Sequence, residues 1–272
     1  MKTLANHKIL FDAECPMCGL YTKTFISCKM LDQDGRASYQ EYLQADCPML
    51  NSQRAANEIA LINTNTGEVT YGIESLFKII AHRFPIFRHL FSFAPFAWLM
   101  GKAYAFISFN RKVIVPAAPI KNSTQPAFKL HYRLIYLAIA WFITACILTN
   151  YARHLIEFVP FGNEYREYLI CGAQILFQGI FLLLLNPGKT WAYLGNMMTV
   201  SLAGDLAFLP ILLLAHFFEI PGYIFLLYFL SIAGLMFLEH MRRCKLLGLG
   251  WIPTLSWFLY RLIVLGLILF FE

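Results

Sequence analysis

The spacing of apolar and polar positions divides the chain near residue 133. Beyond it, charge-free apolar runs cover residues 134–152, 168–188 and 220–238. Each has the length a helix needs to cross roughly 30 Å of hydrocarbon. Two further apolar stretches, 191–218 and 251–271, are each interrupted by a single charge, Asp205 in the first and Arg261 in the second. Backbone polar groups find no water in lipid, so the pattern predicts an all-α bundle of five transmembrane helices. Before residue 133 the period changes. Residues 8–11 form a short apolar run suited to a buried strand, and Leu20, Phe25 and Ile26 then recur at helical intervals. Residues 58–63 and 68–71 predict a hairpin closed by Thr64-Asn65-Thr66-Gly67, with a helix over 73–82 after it. The aromatic-rich segment 84–112 is expected to pack on the sheet, with the membrane surface as the alternative.

Composition sharpens this division. Of 272 residues, 58% are hydrophobic and 14% charged, against roughly 25% charged in a soluble domain. That excludes disordered, collagen-like and nucleic-acid-binding classes. Residues 1–133 hold 15 Lys and Arg against 9 Asp and Glu, while 134–272 hold 7 of each, so the whole net charge of +6 lies in the first half. The predicted organisation is an α/β domain over 1–114, a linker with a basic collar of Lys129, His131 and Arg133 over 115–133, and a membrane domain over 134–272.

Orientation follows from the positive-inside rule. Lys121, Lys129, Arg133, Lys189, Arg242, Arg243 and Lys245 fall on one side, and Arg153 and Arg166 with Glu157, Glu164, Glu167, Glu219 and Glu272 on the other. The expectation is a multi-pass protein of a bacterial inner membrane with its N-terminal domain cytoplasmic and its C-terminus outside. The first residues, MKTLANHKILFDAE, lack the apolar core of a signal peptide.

Polar residues inside the spans are costly and call for partners. Asp205 and Arg261 have opposite sign and are expected to pair, as a fixed ion pair or as part of a proton or quinone relay. Cys171, Gln174 and Gln178 share a helical face, as do Thr254, Trp257 and Arg261, and Tyr228, Ser231 and Glu239. These faces read as interhelical hydrogen-bonding glue or as the lining of a cavity for a small redox molecule. Cys146 and Cys171 fall near the outer face, where a disulfide is one option and free apolar thiols the other. Glu239, His240 and Arg242 close the fourth span, as a lipid-headgroup anchor, as a site for a quinone head or as a docking point for the N-terminal domain.

In the first half the order is strand, CxxC, helix. Pro16 suits a first helical turn, which puts Cys15 at a helix N-terminus where unpaired N–H groups and the dipole favour a thiolate. Cys18 lies one turn deeper, able to resolve a mixed disulfide at Cys15. Asp12 is then a candidate proton acceptor, whereas the charge of Glu14 disfavours the Cys15 thiolate. A zinc site would need Cys28 or Cys47 with His7, which offer no second close pair, so no metal is assigned.

Ile9-Leu10-Phe11-Asp12 followed by Cys15-Pro16-Met17-Cys18, with Tyr71 through Leu76 and the Tyr104 to Asn110-Arg111 helix end, resembles the DCC family of predicted thiol-disulfide oxidoreductases over roughly residues 7–114. The resemblance implies a thioredoxin-like fold and dithiol chemistry at Cys15 and Cys18. Asn110 and Arg111 match a family signature of unclear role. Thioredoxins place a cis-proline before the strand facing the CxxC, but residues 50–57 contain no proline and Pro48 lies about ten residues upstream.

The functional expectation is a membrane-anchored thiol-disulfide oxidoreductase acting on a redox protein or a small thiol or disulfide. Quinone is a candidate acceptor, membrane lipid is a partner and nucleic acid is not. The rival expectation is a non-catalytic assembly or structural subunit of a membrane complex, using the redox domain as a binding module. No family is recognised for the membrane domain.

Overall fold

Strand β1 (His7–Phe11) alternates its side chains between two apolar layers, which is why a five-residue run can organise a sheet. Ile9 faces a cluster with Leu31, Leu61 and Ile79, while Leu10 faces another with Ala55, Ala56 and Ile62. The computed structural model describes residues 3–42, 49–118 and 124–271, and the chain forms two units, Met1–Tyr132 and Arg133–Glu272.

In the first unit, β1 is followed by α1 (Pro16–Ser27), β2 (Arg36–Ser38), α2 (Ser52–Asn57), β3 (Ala60–Asn63), β4 (Val69–Tyr71) and α3 (Ile73–Arg83). The small mixed sheet has the order β2-β1-β3-β4. β1 runs parallel to β2 and antiparallel to β3, with Ile9 opposite Leu61, and β4 returns beside β3. Asn63 closes the hairpin, its side chain accepting from the amides of Asn65 and Thr66.

Helices α4 (Phe87–Ser92) and α5 (Ala94–Ile114) complete the unit. The expectation that this aromatic segment packs into a core holds in part, at Tyr104, which packs on the cluster of Ile9, Leu61 and Ile79. α4 buries no residue, and α5 buries only Ser108, Asn110, Arg111 and Val113. Phe91 stacks on Phe77 at 4.1 Å, but Ile86, Phe93, Trp98 and Leu99 remain exposed. α5 therefore contributes a polar end to the interior and an apolar face to the surroundings.

The second unit holds five helical stretches long and apolar enough to cross a membrane, which makes this a multi-pass membrane protein. They are built from α6 (Leu130–Ala152), α7 (Arg166–Leu185), α8 (Thr190–Leu206) with α9 (Leu209–Ala215), α10 (Gly222–Leu246) and α11 (Ile252–Phe271). α8 is the most enclosed, burying twelve of its 17 residues. At Gly204 a Cβ would meet the Met236 side chain of α10, which would have to shift to admit it. The third span breaks between α8 and α9 ahead of Pro210, which lacks an N–H. The carbonyl of Ala207 at the break accepts from the Tyr228 hydroxyl at 2.8 Å.

Candidate redox site

The dithiol sits where β1 hands over to α1. Cys15 has extended backbone angles and is the N-cap of α1, with Pro16 at the first helical position. Its sulfur takes the place of a capping oxygen: the Cys18 amide donates to Cys15 Sγ at 3.2 Å. The hydrogen bond from the Cys18 thiol, then that backbone bond and the Arg111 charge, bring Cys15 down from 9.0 to about 7, against burial and the Asp12 charge, which pull upward. Cys18 is pushed up, first by its hydrogen bond to Cys15 and then by burial and the neighbouring thiolate. One sulfur is set to carry charge and the other to hold a proton. Both thiols are free, and only 5% and 6% of the surfaces of Cys15 and Cys18 are exposed.

Asp12 leaves β1 one residue past its end and is buried. Its Oδ2 accepts from Arg111 Nη2 at 2.6 Å, and its Oδ1 accepts from the Gln40 amide at 2.7 Å and from the Glu14 backbone at 3.0 Å. Both oxygens are thus engaged, and the carboxylate fixes Arg111. Arg111 also donates to the carbonyls of Ala56 at 2.6 Å and Asn57 at 3.2 Å, tying α5 to the end of α2. Ser108, one turn earlier, donates to the same Asn57 carbonyl. Asn110 is buried and donates to the Phe106 and Tyr132 carbonyls.

Glu14 corrects a sequence expectation. Its charge does not face Cys15 alone, because Lys112 donates to Glu14 Oε2 at 2.8 Å and Gln125 Nε2 donates to Oε1 at 3.1 Å. Lys112 also bonds Gln125. Residues 124–127 form a strap held by Tyr39, Gln53, Glu14 and Asn57. Sequence pattern alone missed Gln40, Ser108, Lys112 and Gln125, since none belongs to a spaced motif. Cys47, Pro48 and Lys121 lie outside the described residues.

In the membrane unit, Asp205 and Arg261 do not form the expected ion pair. The Asp205 Oδ2 is buried without a hydrogen-bond partner, and Arg261 lies against Cys171. Both residues nevertheless line one cavity. Cys146 and Cys171 are free thiols on α6 and α7, which removes the proposed disulfide. Glu239, His240 and Arg242 do not converge either. Glu239 is occupied by Arg242 at 2.6 Å and Arg243 at 2.7 Å on the outside of α10. His240 points inward, bonded to Thr254 at 3.0 Å and to Tyr193 at 3.3 Å and stacked on Trp257. Consecutive residues on a helix face different sides, so these three cannot share a quinone head.

Of the proposed stripes, Cys171, Gln174 and Gln178 do face the interior. The Tyr193 hydroxyl donates to Gln178 at 2.9 Å, and Gln178 donates to Ser256 at 3.2 Å, linking three helices. The third stripe fails, because Ser231 is exposed and bonds only its own helix at Leu227. No family model, curated protein or solved structure matches the chain.

Proposed function

We propose that the first unit is a thioredoxin-like dithiol oxidoreductase anchored by the membrane unit, as the resemblance to the DCC family implies. The observation that carries this reading is the Cys18 amide bond to Cys15 Sγ, at the N-terminus of α1 and beside the Arg111 guanidinium. The strand order β2-β1-β3-β4, with the dithiol between β1 and α1, supports the thioredoxin-like assignment. The Cys15 thiolate attacks one sulfur of a substrate disulfide, forming a mixed disulfide and releasing one substrate thiolate, which takes up a proton. Cys18 then loses its proton and displaces the second substrate thiol from Cys15. The pair ends oxidised and the substrate reduced by two electrons, and a dithiol donor restores the pair by the same exchanges in reverse. Asp12 is a positioning residue for Arg111, whose charge stabilises the thiolate each time it appears.

The first unit is placed in the cytoplasm of a bacterium, where thiols are kept reduced and the pair donates electrons. Lys189, Arg242, Arg243 and Lys245 at one set of span ends support that orientation. The test uses the full chain in lipid nanodiscs with a peptide disulfide and a dithiol reductant. Turnover lost in Cys15→Ser and in Cys18→Ser, with a mixed disulfide trapped on Cys15 in the second, supports the reading. Turnover unchanged in both variants overturns it and leaves a binding module.

A further inference from the structure

The membrane unit contains a cavity of about 530 Å³ whose walls come from α6, α7, α8, α10 and α11. Its lining is almost entirely apolar, with Phe208, Phe229, Phe237 and Phe258 supplying flat aromatic faces. Four polar residues break that lining. Asp205 is 2% exposed and its Oδ2 has no partner, and Trp257 is 4% exposed and its indole N–H has none. Arg261, one turn beyond Trp257, lines the same space. Glu167 also lines it but is paired with Arg166 at 3.1 Å.

An unmet acceptor and an unmet donor at this depth are each costly, and the site holds one of each beside a cation. An acyl chain filling the cavity would bring neither a donor nor an acceptor, and the polar head of a phospholipid stays at the interface. A free fatty acid would satisfy Arg261 but set its charge against Asp205. The complement is a neutral, flat, lipid-soluble head with both an O–H and a second oxygen, on an apolar tail. We infer that this cavity binds a lipid-soluble hydroquinone, with one head hydroxyl donating to Asp205 and the other head oxygen accepting from Trp257 and Arg261. The aromatic walls stack on the ring. The site is distinct from Glu239, His240 and Arg242, and lies wholly in the membrane unit, so it stands independently of the dithiol chemistry.

The test irradiates the full chain in phospholipid nanodiscs, under reducing conditions, with a decyl-chained azidobenzohydroquinone and maps labelled residues by peptide mass spectrometry. Labelling is expected on the α8, α10 and α11 walls, competed by unlabelled decyl benzohydroquinone. Trp257→Phe, which removes only the N–H, is expected to weaken that competition about fivefold, and Asp205→Leu at least as much. Trp251→Phe, outside the cavity, is expected to leave it unchanged, as is Cys15→Ser. The inference is overturned if the hydroquinone fails to compete, if Trp257→Phe and Trp251→Phe behave alike, or if a phosphatidylcholine with a photoreactive acyl chain labels the same residues unaffected by the hydroquinone.

Discussion

Arg111 Nη2 lies 2.6 Å from Asp12 Oδ2, joining two buried residues 99 positions apart in the chain. The bond fixes a cation beside Cys15 and closes the carboxylate that follows β1. One charge pair thus serves both the packing of α5 and the chemistry of the thiol.

The first consequence is electrostatic and has a sign. Arg111 lowers the Cys15 value and Asp12 raises it. In Arg111→Met, the pH midpoint for alkylation of Cys15 should move up from about 7, slowing the reaction at pH 7. In Asp12→Asn it should move down. Rates of iodoacetamide labelling between pH 5 and 10, read by mass spectrometry, check both directions.

A second consequence is for stability. Removing one partner of a buried pair strands the other charge, at a cost of about 3–5 kcal/mol. Arg111→Met should lower the melting temperature of the first unit sharply, with Asp12→Asn costing less because its amide oxygen still accepts from Gln40. The double variant should recover much of the loss of Arg111→Met. Tryptic cleavage of β1 and α5 during heating of the full chain measures each.

The pH dependence of stability follows from the same shifts. Between about pH 7 and the unfolded value of 9.0, the folded reduced chain lacks a proton at Cys15 that the unfolded chain keeps, so stability rises with pH. Above 9.0 the unfolded chain also releases the Cys18 proton, which the folded chain retains, so stability falls again. A maximum near pH 9 is expected for the reduced protein. The gain is expected to vanish in Cys15→Ser, as followed by proteolytic susceptibility across pH.

The strap is expected to limit access to the thiols through its hold on Glu14, the residue before Cys15. Gln125 holds Glu14, and Cys15 is 5% exposed. Gln125→Ala should raise the alkylation rate of Cys15 at saturating pH, where ionisation no longer limits it. Unchanged rates would show that the strap does not govern access.

In the membrane unit, the Tyr193 hydroxyl joins Gln178 and His240. Tyr193→Phe strands both and should cost about 1–2 kcal/mol. Denaturation by sodium dodecyl sulfate, with the exposed Ser231→Ala as the neutral comparison, measures this.

What the sequence made legible depended on period and length. The spans stood out because each is a run of about twenty apolar residues, and the third was recognised despite Asp205. Strand β1 and the start of α1 were visible from the apolar run and Pro16. β2, three residues reading Arg36-Ala37-Ser38, carries no period and was missed. Depth and sign suggested an Asp205–Arg261 pair, but depth does not specify which way a side chain turns about its helix axis. The same missing rotation misplaced Arg242, whose neighbour Arg243 is the one that reaches Asn196 at 3.1 Å. At the dithiol, Arg111 was singled out without a role because its partner lies at the far end of the unit's chain.

The central claim is that Cys15 is ionised near neutral pH while Cys18 holds its proton. The direct measurement is the pH profile of alkylation at each cysteine of the fully reduced chain in nanodiscs. A Cys15 midpoint at about 7 is expected, with Cys18 titrating only well above the ordinary thiol value of 9.0. A Cys15 midpoint at 9 or above, or two cysteines titrating together, would contradict it.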